Sequence, residues 1–80
     1  MDGNAKPSEI IDARGLKCPE PVMMLHAAIR KVAVDDYVQL LATDASTERD
    51  VIKFCHFLGH ELVESDHKDT EFRYLICKKP

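Results

Sequence analysis

Val22, Leu25, Ile29 and Val32 recur at the three- and four-residue spacing of one helix face. From Tyr37 the rhythm changes, and Val38, Leu40 and Ala42 fall at every second position. The first pattern buries one side of a helix, and the second gives a strand with one face against a core. This switch of period limits the fold to one that packs helices on a sheet. A helix is expected over 19–32, with Ala28 and Met24 widening its stripe. Arg30 and Lys31 stand in its last turn, where cations suit the helix dipole. Asp35-Asp36 makes a turn, and a strand follows over 37–43. Upstream, Ile10, Ile11 and Ala13 predict a short strand over 8–13 that Gly15 breaks.

Downstream, Asp44, Ser46 or Thr47 can cap a second helix. Its apolar positions are Val51, Ile52, Phe54, Cys55 and Leu58, and Gly59 stops it. Leu62 and Val63 mark a third strand, Lys68-Asp69-Thr70 a hairpin turn, and residues 72–78 a fourth strand with Phe72, Tyr74 and Ile76 on one face. The order is β-α-β-α-β-β. Strand-helix-strand units favour parallel strands with right-handed crossovers, whereas the final hairpin is antiparallel. The expected fold is an α+β two-layer sandwich, with two helices on one face of a mixed four-stranded sheet. Residues 1–7 are expected to be a flexible tail, and 8–80 a single domain.

At 80 residues the chain is near the size where one core becomes marginal, with no room for separate catalytic and binding domains. Lys and Arg total 11 against 14 Asp and Glu, a net charge of −3, which argues against nucleic-acid binding by phosphate neutralisation. No apolar run approaches the ~20 residues of a membrane span, and the polar start lacks the apolar stretch of a signal peptide. Three cysteines are an odd set with no C-x-x-C pair. A reducing cytoplasm with free thiols is therefore expected.

The segment Arg14-Gly15-Leu16-Lys17-Cys18-Pro19-Glu20-Pro21-Val22 sets a cysteine before Pro-x-Pro at the mouth of a helix. Proline has no N–H, so it loses nothing where helix N–H groups have no internal partner. With Pro19 as the first helical residue and Pro21 as the third, the first turn is stiff, and Cys18 stands at or beside the N-cap. A helix N-terminus favours a thiolate, the nucleophilic form. The dipole is weak at an exposed site, and Glu20 opposes it while Arg14 and Lys17 partly offset Glu20. The reading is an exposed thiol presented at a fixed angle, with modest activation. The alternative is a helix that merely starts with a cysteine, but a rigid platform has little purpose under a buried thiol.

No general base is apparent. His26 is eight positions from Cys18, roughly 12 Å along a helix. His56 and His60, beside Cys55, are the only metal-like spacing, and no second cluster completes four ligands, so no metal and no cofactor are expected. His67 reads as a turn residue. Cys55 falls on the apolar face of the second helix and is expected in the core; Cys77, near the end of the last strand, is expected to be structural.

The segment from Arg14 to Leu25 closely resembles the motif of the TusA (SirA-like) sulfur-carrier family. Asp44 through Arg49-Asp50-Val51, Lys53-Phe54-Cys55, Gly59-His60-Glu61-Leu62-Val63 and Arg73-Tyr74-Leu75-Ile76 resemble it too, so the likeness runs from about residue 10 to 78. It implies the same two-layer βαβαββ fold and a sulfur relay. Cys18 would take a sulfane sulfur from a cysteine desulfurase as a persulfide and hand it to a downstream acceptor protein. Gly15, Pro19, Glu20 and Pro21 would present the thiol. The family's best-known output is 2-thiolation of the tRNA wobble uridine; relatives serve molybdenum-cofactor maturation and sulfur oxidation. Met23, Met24 and Arg30 are candidates for partner docking, and a monomer suits a carrier that shows one thiol to two partners in turn. The competing reading is a regulatory or RNA-binding module in which Cys18 is structural.

Overall fold

In the computed structural model, which describes residues 6–80, six elements follow the expected order. They are β1 (Glu9–Ala13), α1 (Glu20–Lys31), β2 (Tyr37–Ala42), α2 (Thr47–Leu58), β3 (Glu61–Lys68) and β4 (Glu71–Cys77). Most of the tail expected over 1–7 lies outside the described residues.

The sheet order is β1-β2-β4-β3. β1 runs parallel to β2, and β4 is antiparallel to both β2 and β3. β4 thus inserts between the strands flanking α2, so those two share a direction without pairing. The register places Ile11 beside Leu40 and Leu40 beside Tyr74. Together with Ala13, Val38 and Ile76, these side chains form the sheet's half of the core. Leu25, Ala28, Ile29 and Val32 of α1 and Val51, Phe54 and Cys55 of α2 form the helices' half. The two helices therefore cover one face of a mixed sheet, as the periodicity predicts.

Four expectations shift. Pro19 is the N-cap of α1 and Glu20 its first residue, so Pro21 is second rather than third. Its ring is fully buried. Met24 does not widen the buried stripe: it is exposed, as are Ile52 and Leu58 of α2. β3 is eight residues long rather than a short pair around Leu62 and Val63, and a bulge falls between Leu62 and Glu64. It is a polar edge strand, so it carries no alternation to read. His67 belongs to β3 rather than to the turn, its ring stacked on Phe72 with centroids 4.1 Å apart. The turn itself is Asp69-Thr70, with Asp69 at φ 57°.

Gly59 ends α2 in the left-handed region at φ 77°, where a Cβ would be strained. Gly15 takes φ 85° after β1 and donates its N–H to Thr43 Oγ1 at 2.8 Å. That bond ties the end of β1 to the end of β2. Both connections from these strands to their helices leave from the same end of the sheet, and Cys18 lies there.

Candidate functional site

Cys18 is the last residue before the cap of α1, and it is exposed. Two carboxylates hold it, Asp44 from the β2–α2 connection and Asp50 from the first turn of α2. Asp44 Oδ2 accepts the Cys18 backbone N–H at 2.9 Å. Asp44 Oδ1 accepts both the backbone N–H and the hydroxyl of Ser46, at 3.0 and 2.9 Å. Ser46 is the N-cap of α2 but makes no side-chain cap bond of its own. Asp44 therefore braces the mouths of both helices at once. These donors hold its carboxyl below the usual carboxylate range, the Cys18 N–H most of all.

The second carboxylate touches the sulfur. The Cys18 thiol donates to Asp50 Oδ2 at 2.8 Å. Asp50 is in the first turn of α2, and its Oδ1 lies 3.5 Å from Arg49 Nε. The hydrogen bond to Asp50 raises the thiol above its ordinary range, with desolvation and the Asp50 charge adding to it; Arg49 and Ser46 pull the other way. This corrects the expectation of modest activation. The expected offset by Arg14 is also absent: its guanidinium pairs with Asp12 at 2.8 Å and with Glu71 at 3.1 Å.

An open groove of about 340 Å³ runs from Cys18 between the two helices. Pro19 at the cap of α1 and Val22 and His26 within it line one side, and Asp50, Lys53, Phe54, Phe57 and Leu58 of α2 line the other. His26 shares the groove but sets its ring edge-on to Phe54 at 4.6 Å. Met23 is 60% exposed and Phe57 78% exposed, and Arg30 is also exposed. Glu20, in the first turn, is exposed too.

The other thiols are placed differently. Cys55 and Cys77 are buried, and burial pushes Cys55 up to about 11. His60, the second half of the metal-like pair, accepts the Lys79 N–H at Nδ1 and packs near Phe54, while His56 packs on Phe57.

Residues 9–78 match the family model described as Sulfurtransferase TusA. This chain belongs to that family. A relative from Pseudomonas putida, the "Sulfur carrier protein TusA", is 52% identical over 73 residues, covering 91% of each chain. One of the same description from Pseudomonas paraeruginosa is 54% identical over 70 residues, covering 88% of this chain and 89% of its own. The crystal structure of a SirA-like protein from Desulfitobacterium hafniense superposes with a TM-score of 0.79 at 23% identity, covering 90% of this chain and 99% of that one. That likeness concerns the fold alone.

Sequence reasoning placed Cys18 at the mouth of α1 and missed its main partner. Asp50 is 32 positions downstream and reads there as an acidic residue in a helix's first turn, where acids are ordinary. Asp44 is one of three candidate caps of α2 in the sequence, beside Ser46 and Thr47, and its bond to Cys18 has no local signal.

Proposed function

We propose that the chain is a sulfur carrier: Cys18 accepts a sulfane sulfur from a cysteine desulfurase as a persulfide and relays it to a cysteine of a downstream acceptor protein. The observation that carries this reading is the contrast among the thiols. Cys18 is exposed at the mouth of an apolar groove, while Cys55 and Cys77 are buried. Family membership and the description of its relatives support it.

The chemistry asks little of the carrier itself. The Cys18 thiolate attacks the outer sulfur of the donor's persulfide. The donor's S–S bond breaks, its cysteine leaves as a thiolate, and a new S–S bond forms on Cys18. No electrons enter or leave the pair, so the step needs no cofactor. Delivery repeats the exchange with the acceptor's cysteine as nucleophile. The protein partner supplies proximity, and the carrier supplies a reachable sulfur at a fixed place. Gly15, Pro19, Glu20 and Pro21 shape the segment that presents it. Met23, Met24 and Arg30 form part of the docking face, and Phe57, exposed beside the groove, extends it.

We assign the output to 2-thiolation of the tRNA wobble uridine, with the carrier acting as a cytoplasmic monomer that does not itself bind the RNA. The test is complementation of a bacterial strain lacking its own carrier of this family. Mass analysis of tRNA nucleosides is expected to show 2-thiouridines restored by the parent chain and not by Cys18→Ala. Restoration by Cys18→Ala, or none by the parent, contradicts the assignment.

A further inference from the structure

The thiol donates to Asp50 at 2.8 Å, a bond that exists only while sulfur carries its proton. We infer that Asp50 is a latch: it holds the empty carrier's Cys18 as a protonated thiol directed at α2 and lets go once the sulfur is ionised or loaded. The biological use of the latch rests on the carrier reading above; its geometry does not.

Three observations carry the inference. First, Asp50 is only 17% exposed in its side chain, so its carboxylate is poorly screened by water and strongly felt by a neighbouring charge. Second, the backbone on both sides is fixed. Asp44 holds the Cys18 N–H, and Asp50 belongs to a regular helical turn. A thiolate could not relax its repulsion from Asp50 without a change of side-chain rotamer. Third, Arg49 already touches the other Asp50 oxygen at 3.5 Å. Arg49 is 64% exposed, so it can close on both carboxylate oxygens as a fork when the thiol leaves. The other ionisable groups about the sulfur are His26 of α1 and Lys53 of α2, which line the same groove, Asp44, whose carboxylate is committed to Cys18 N–H and Ser46, and the chain neighbours Lys17 and Glu20. None of these is hydrogen-bonded to the Cys18 sulfur, whereas Asp50 is.

Loading changes the sulfur's role. When the S–H bond at Sγ is replaced by an S–S bond, the proton passes to solvent and Sγ has nothing to donate to Asp50. Two lone-pair-bearing atoms then face each other at a distance that suited a hydrogen bond, and the side chain turns outward. Asp50 therefore separates the two states of a carrier. The empty thiol, exposed but held protonated, is less reactive toward stray electrophiles, and the loaded sulfur is released from Asp50.

The test uses the whole purified chain and iodoacetamide, with the alkylation rate of Cys18 followed from pH 6 to 11 by intact mass. Asp50→Asn keeps the side chain's shape and removes its charge. At neutral pH it is expected to react roughly threefold faster per unit of acidity gained. The thiolate fraction rises about tenfold per unit, and intrinsic nucleophilicity falls by about half that on a logarithmic scale. At the alkaline end the order reverses, because both thiols are ionised and the less basic thiolate is the weaker nucleophile. Crossed profiles support the latch, and the shorter, uncharged Asp50→Ser is expected to give the same crossing should the Asn variant fold poorly. Superimposed profiles overturn it. So does an equal shift in Glu48→Gln, which removes a charge from the same helical turn without touching the sulfur. Sulfur loading of the parent by a desulfurase is measured separately. Loading with unmoved profiles sinks the latch and leaves the carrier, and crossed profiles without loading do the reverse.

Discussion

Asp44 Oδ2 accepts the backbone N–H of Cys18 while its Oδ1 accepts Ser46, so one carboxylate fastens the chain entering α1 to the chain entering α2. Those bonds favour the ionised form and hold the carboxyl below its ordinary value of 3.8. A depressed folded-state pKa contributes stability that is present above the unfolded value and lost as pH falls through the folded one. Asp44→Ala is therefore expected to melt at a lower Tm than the parent at neutral pH, and the gap is expected to narrow below about pH 4. Thermal scans of both chains across pH 2.5–8 check this. A gap constant down to the lowest pH would mean that Asp44 acts through shape rather than charge.

The three cysteines are expected to divide sharply by reactivity. In the folded chain an excess of alkylating reagent at neutral pH is expected to modify Cys18 first, leaving Cys55 and Cys77 untouched until denaturant is added. Burial raises both of the latter thiols as well as shielding them. Peptide mapping before and after unfolding reads this directly. Cys55→Ser is expected to cost about 1–3 kcal/mol of stability, because its hydroxyl enters the apolar core that Cys55 shares with Val51 and Phe54. Denaturant titration measures that cost. Sulfur transfer by the folded variant is expected to persist.

Tyr74 is 1% exposed, and its hydroxyl has no hydrogen-bond partner among the described residues. Burial, with the charge of Glu48 adding to it, pushes the phenol up to about 12. Removing a buried, unpaired hydroxyl recovers a desolvation penalty of about 1–3 kcal/mol at most. Tyr74→Phe is thus expected to be at least as stable as the parent, with a denaturation midpoint equal or higher. A clear fall would show that the hydroxyl has a partner, such as ordered water.

How far these features were legible in the sequence depends on whether their cause is local. Leu25, Ile29, Val38 and Leu40 declare their elements because burial imposes a period, and the fold follows from the order of those periods. β3 was legible only at Leu62 and Val63, since an edge strand with both faces wet has no period to impose. Cys18 was legible as an exposed thiol because the prolines beside it admit few backbones. Its acidity was not, because the carboxylate bonded to the thiol lies 32 positions away in sequence. Arg14 turns away to Asp12 and Glu71, and Asp50 arrives from another helix.

The central claim is that Cys18 holds sulfur in transit. Its most direct measurement is the intact mass of the chain after incubation with an active cysteine desulfurase and cysteine, followed by peptide mapping. A gain of one sulfur atom confined to the Cys18 peptide, removed by a reducing thiol and absent in Cys18→Ser of unchanged fold, is the predicted result. No gain while the desulfurase turns over cysteine, or a gain that persists in Cys18→Ser, would contradict the account.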